Sequence, residues 1–282
     1  MNRVKRALTA HLDNYNKYRF LLRELVSKNI KLQYRNSVLG VFWTFLQPLL
    51  TMIVLSFVFM RVFGKDSAKT GNYPVYLLCG RLLYQFFTSA TKRAMTSIRR
   101  QSSMIKKVYV PKYIYPLSEV LSAFVTFLIS LTVLALVIAF FNIIQKDPVT
   151  VTWRVIFAIV PILITLVLSL GVGMILSTIS VFFKDIENIY DVFTMLLFYM
   201  TPIVFRPSML NFEEGSLQLR ILKINPLYGL VNAFRAAVMY GTEFMQHWDM
   251  RLMYYCAGFA VVSVIVGFWL FYRNQDKFIL YI

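Results

Sequence analysis

Residues 38–60 read V-L-G-V-F-W-T-F-L-Q-P-L-L-T-M-I-V-L-S-F-V-F-M, 23 consecutive positions without a formal charge. A helix rises about 1.5 Å per residue, so about 20 apolar residues reach across the roughly 30 Å hydrocarbon layer of a membrane. In lipid an unpaired backbone N–H or C=O costs several kcal/mol, which leaves helices and closed barrels as the spanning structures. The stretch therefore reads as a membrane-spanning helix, with Arg35 ahead of it and Arg61 behind it.

The rest of the chain agrees. Of its 282 residues 58% are hydrophobic and 15% charged, against roughly 25% charged in soluble domains, and the mean hydropathy is +0.61. Further apolar runs lie near 74–96, 116–144, 153–183, 188–205 and 252–272, giving six spans and no room for a separate soluble domain. The fourth run is longer than a bilayer needs, and Pro161 and Gly171-Val172-Gly173 are candidate bends. Phe268, Trp269, Phe271 and Tyr272 close the sixth in the manner of an interfacial aromatic belt. The first 36 residues are polar, so a cleavable signal peptide is not expected. Cys79 and Cys256 sit in apolar stretches and read as buried free thiols rather than a disulfide or metal pair.

Net charge is +17, but its distribution argues against nucleic acid. With the N-terminus inside, 19 of the 30 Lys and Arg residues fall on the cytoplasmic side and 10 outside, Arg81 being within a span. By the positive-inside rule both termini are cytoplasmic, as expected of a multi-pass plasma (inner) membrane protein.

Residues 17–35, K-Y-R-F-L-L-R-E-L-V-S-K-N-I-K-L-Q-Y-R, place Phe20, Leu21, Leu22, Leu25, Val26, Ile30 and Leu32 mainly on one helical face, flanked by Arg and Lys. Such a basic amphipathic helix lies in the membrane interface. It serves either as an anchor to anionic lipid or as a holder of a lipid head group or partner protein. A second basic stretch, Arg99 to Pro111, mixes Met104, Ile105, Val108 and Val110 with its charges. It is either a solvated loop or a short helix for a partner's groove. Between spans five and six, residues 224–238 are apolar and helical yet too short to cross, so a re-entrant helix begun by Pro226 is expected. Arg81 either lines a cavity or snorkels to the nearer interface.

Catalytic constellations are missing. His11 and His247 have no ligand spacing with Cys or carboxylate, and neither G-x-x-x-x-G-K-[S/T] nor G-x-S-x-G occurs. The carboxylates Glu119, Asp185, Glu187 and Asp191 lie at span ends, which disfavours a proton-coupled carrier. A multi-span acyltransferase or glycosyltransferase is likewise disfavoured by the sparse acid–base inventory.

Residues 30–50, I-K-L-Q-Y-R-N-S-V-L-G-V-F-W-T-F-L-Q-P-L-L, run from a basic interface helix through Leu39-Gly40 and Trp43 to Gln47-Pro48. With F-F-K-D-I at 182–186 and I-N-P-L…N-A-F-R at 224–235, the chain resembles the membrane subunits of type-2 ABC exporters of lipid-linked polysaccharides. Those move O-antigen, rhamnan, capsule or teichoic acid; permeases for drugs or simple lipids are the alternative branch. Lys184 departs from the Arg more often expected there.

The resemblance implies an all-α polytopic membrane protein: an interface helix within 1–37, a six-span domain over 38–272, and a cytoplasmic tail at 273–282. It implies a homodimer, two ATP-binding subunits that bind ATP and magnesium, and no cofactor or metal in this chain. A coupling loop at 97–115 would use Arg99, Arg100, Met104, Ile105, Lys106, Lys107, Val108 and Tyr109. A substrate entrance would use Tyr34, Arg35, Val38, Leu39 and Gly40. Short gate helices near 207–222 and 226–240, within the outward region 206–251, would involve Asn225, Pro226 and Arg235. Sugar rings need flat apolar faces, and the chain has 25 Phe and 17 Tyr. Candidates for a channel lining are Phe42, Trp43, Arg81, Tyr84, Phe86, Phe87, Phe198 and Tyr199.

Overall fold

The computed structural model describes residues 18–33, 35, 37–62, 72–107, 110–144, 149, 151–205, 217–241 and 244–281. Its regular elements are helical. A helix over residues 18–33 (α1) is followed by α2 (Trp43–Val62), α3 (Tyr73–Arg100), α4 (Ser102–Ile105) and α5 (Ile114–Ile144). Then come α6 (Ile159–Phe182), α7 (Ile186–Met200), α8 (Leu217–Ile224), α9 (Pro226–Met239), α10 (Phe244–His247), α11 (Met250–Asn274) and α12 (Phe278–Tyr281).

Among the described residues three helical stretches are long and apolar enough to cross a membrane: Ile114–Ile143, Trp153–Phe182 and Met250–Tyr281. The expected first span is a shorter apolar helix that starts only at Trp43, because residues 37–42 form a turn and a 3-10 segment. The fourth run is a 3-10 segment, Trp153–Ala158, passing into α6, so its excess length winds more tightly at one end.

Helix α3 is the central element. Its apolar side chains from Tyr73 to Ile98 are buried against α5, α6, α9, α2 and α7. That position explains its mixed composition, since protein rather than lipid surrounds it and polar residues find partners there.

The glycines expected to bend the fourth run do otherwise, for α6 is continuous through both. Gly171 lies against the backbone of Ser263 and Val264, where a Cβ would come within 2.5 Å of the Ser263 carbonyl carbon. Gly267 of α11 faces the Gly171 carbonyl in return. Small residues let two helices approach closely, which matters in lipid, where van der Waals contact replaces the hydrophobic drive.

A second cluster closes the cytoplasmic end assigned from the charge distribution. Leu25 of α1, Ile98, Ile114, Tyr115, Phe271 and Phe278 are buried together, with Leu21, Leu22, Met104 and Ile105 packed against them. The tail at 273–282 is thus folded back: Phe278 is fully buried against Phe271 and Phe182, and Lys112 Nζ donates to the Gln275 carbonyl at 2.6 Å. Both cysteines are buried and free.

Candidate functional site

The segment expected to couple to a partner begins where α3 ends. Gln101 N donates to Ser97 O, then Ile105 N to Gln101 O and Lys106 N to Ser102 O, closing one short turn as α4. Met104 and Ile105 turn inward onto the cytoplasmic cluster with α1, while Lys106, Lys107 and Arg100 are exposed. Arg99 points sideways and pairs with Glu187 of α7. Val108 and Tyr109 lie outside the described residues.

Above this turn a cavity of about 600 Å³ opens between α1, α3 and α5. Lys28, Arg93 and Arg100 line it, with Glu119 as its acidic member among the described residues. The Asn29 amide, also in the lining, is buried without a hydrogen-bond partner on its nitrogen. A buried unpaired donor is expensive, and with the surrounding cations it is chemically suited to anionic oxygen.

Beside it runs the turn of the expected entrance. Gly40 has φ +50, and its N–H donates to the Ser37 carbonyl at 3.2 Å and hydroxyl at 3.1 Å. Only a residue without Cβ takes that left-handed conformation at no steric cost. Arg35, Val38 and Leu39 are exposed on the turn, and Phe42 and Trp43 are exposed just past it. Tyr34 lies outside the described residues.

Four lining candidates meet between α3 and α7. The Arg81 guanidinium lies over the Phe198 ring at 5.6 Å, Tyr84 packs edge-on against Phe198 at 5.5 Å, and Tyr199 packs edge-on at 5.6 Å from the other side. Tyr84 also donates to the Thr194 carbonyl. Phe86 and Phe87 are placed elsewhere, in the core; Phe86 stacks on Phe127 of α5 at 4.9 Å. Toward α4 the same two helices are joined by Thr91 with Tyr190 (2.5 Å), Lys92 with Asp191 (2.6 Å) and Arg99 with Glu187. The opposite side of α7, including Val192, Phe193 and Leu196, is exposed and apolar.

At the far end, Asn225 caps α9 by accepting from Leu227 N at 3.0 Å and donates through Nδ2 to Thr201 at 2.9 Å. Pro226 takes the first helical position, as its missing N–H predicts. Arg235 is the largest fully buried side chain, 1% exposed. Its guanidinium stacks on Tyr76 and donates to the carbonyls of Tyr76 (3.2 Å), Pro202 (2.7 Å) and Ile203 (3.0 Å). Tyr73 and Tyr76 hydroxyls donate to Val204 and to Pro202 and Phe205. The segment after α7 thus leaves helical geometry at Thr201-Pro202, and three side chains from α3 and α9 receive the carbonyls it frees. Gly80 makes room, because a Cβ there would collide with the Arg235 guanidinium.

Sequence reasoning reached Arg235 through its segment, not its bonds, and missed Tyr73, Thr201 and the ladder Lys92–Asp191. The one available signal was an arginine on an apolar helix too short to span.

Residues 21–239 match the sequence family described as ABC-2 type transporter. A protein of Klebsiella pneumoniae named as an O-antigen export system permease is 28% identical over 92% of this chain and 93% of its own length. One of Myxococcus xanthus with the same name is 30% identical over 78% of this chain and 80% of its own. An Escherichia coli polysialic acid transport protein is 24% identical over 90% of this chain and 92% of its own.

Proposed function

The chain belongs to the ABC-2 type transporter family, and on that premise we propose that it is the permease subunit of an ATP-driven exporter of a lipid-linked surface polysaccharide. The carrying observation is the end-to-end similarity to proteins named for O-antigen export and polysialic acid transport. Two copies would enclose the pathway, each spanning the plasma membrane six times with both termini inside. Two ATP-binding subunits would supply the hydrolysis, for which this chain has no phosphate-cradling loop.

In this reading α4 is the docking element. Lys106 and Lys107 just after it are exposed and its apolar side rests on α1, so a push on it meets α1 and the end of α3 together. The ladder from Arg99 to Arg81 then passes the displacement to α7 and the segment latched by Arg235. The cation-lined cavity beside the Gly40 turn suits the phosphate of a lipid-linked glycan, with its lipid left in the bilayer. Helices α8 and α9 are the outward gate, and the exposed side of α7 faces the pathway or the second copy.

Deletion of the gene tests the reading. Glycan should accumulate on its carrier at the cytoplasmic face and be restored to the surface by the wild-type gene. Normal surface glycan in the deletion strain removes the proposal.

A further inference from the structure

Behind the Arg235 latch, at the end assigned to the exterior, lies a cavity of about 360 Å³ between α8, α9, α10 and α11 that none of the roles above uses. This volume falls within the roughly 300–1,000 Å³ range of small-molecule sites. Its walls combine flat rings with two-way hydrogen-bonding groups. Tyr228, buried on α9, contributes one ring; Tyr240 and His247 contribute a stacked pair with centroids 4.0 Å apart. Gln246 brings a carboxamide able to donate and accept, and Asn232 brings one that also hydrogen-bonds Tyr228.

The lining carries two cations, Lys223 and Arg235, and one carboxylate, Asp249. Arg235 Nε, Nη1 and Nη2 donate to backbone carbonyls, and Asp249 accepts from Arg251 N and Leu252 N. The rings and amides between these charges suit a polyol whose C–H face lies on an aromatic and whose hydroxyls pair with amides.

The walls are also held in place. Arg154 Nη1 donates to the Gly241 carbonyl at 2.7 Å, and Phe157 packs on Phe244 and Trp248 at 5.4 and 6.2 Å. Gly241, Phe244 and Trp248 are thereby held against the 3-10 segment Trp153–Ala158.

We propose that this cavity is a subsite for one pyranose unit, seated on the rings of Tyr228 and the Tyr240–His247 pair with its hydroxyls at Asn232 and Gln246. It rests on the reading above in assigning the unit to the exported glycan.

The test uses the permease–ATPase complex in nanodiscs and saturation-transfer NMR with methyl hexopyranosides, acyclic hexitols serving as the control. The glycosides should receive saturation that falls at least fivefold in Asn232→Leu and in the exposed pair Gln246→Leu/His247→Leu. Tyr228→Phe should keep the signal and Tyr228→Leu lose it, with gel filtration checking that each variant folds. A wild-type complex that saturates no glycoside, or the hexitols equally, overturns the proposal, as does a signal unchanged in every variant. The gene deletion reads the exporter assignment separately, so a lost surface glycan with no glycoside binding defeats the subsite alone.

Discussion

Replacing Arg235 by alanine tests the latch at its centre. Three bonds from a charged donor, at about 1.5–3 kcal/mol each, set the gross loss. Against it stands relief of burying a guanidinium, a cost of several kcal/mol. The bonds prevail, because the Pro202 and Ile203 carbonyls remain buried in a segment that cannot return to helix at Pro202. Expected net destabilisation is about 3 kcal/mol, a fall in thermal midpoint of roughly 6–12 °C for a chain of this size. Size-exclusion thermostability in detergent reads it. Arg235→Met, which refills most of the volume without donors, should recover about 1–2 kcal/mol of cavity cost and no more. Gly80→Ala drives a Cβ into the guanidinium and should destabilise alone. Combined with Arg235→Ala it should cost almost nothing further, since the space is then empty. Strictly additive losses in that cycle would refute the claim that Gly80 is small on account of Arg235.

Charge reversal of Lys106 and Lys107 should abolish ATPase co-purification and glycan export while leaving the thermal midpoint within about 2 °C, because both are exposed; intact binding removes the docking assignment. Lys92 and Asp191 are half exposed, so Asp191→Lys should lower stability by less than about 1 kcal/mol but impair export, and the Lys92→Asp/Asp191→Lys swap should recover it. A swap as inactive as the single change would mean the pair does not transmit motion. Gly40→Ala meets no neighbour, so its cost comes from φ alone, about 1–2 kcal/mol in thermal unfolding; a neutral result would deny the left-handed turn.

Much of the fold was open to reading along the chain. The interface helix, the turn before Trp43, the basic turn after α3 and the short helix opened by Pro226 follow from local pattern. The bend expected at Gly171 did not, because a glycine in a helix serves flexibility or close approach, and only the neighbour, Ser263 of α11, distinguishes them. Among the lining candidates, Arg81, Tyr84, Phe198 and Tyr199 meet, while Phe86 and Phe87 turn into the core. No periodicity separates those groups, since α3 is surrounded by protein on most sides.

Residence in lipid and helical form were determined by the sequence, because hydropathy and charge act over runs of twenty residues and need no distant partner. Which polar groups satisfy one another was decided only by tertiary structure. Lipid demands that every buried donor and acceptor be paired, yet that demand leaves the partner open. Arg235 meets Tyr76 across 159 positions, and Lys92 meets Asp191 across 99, because helix packing brings them there.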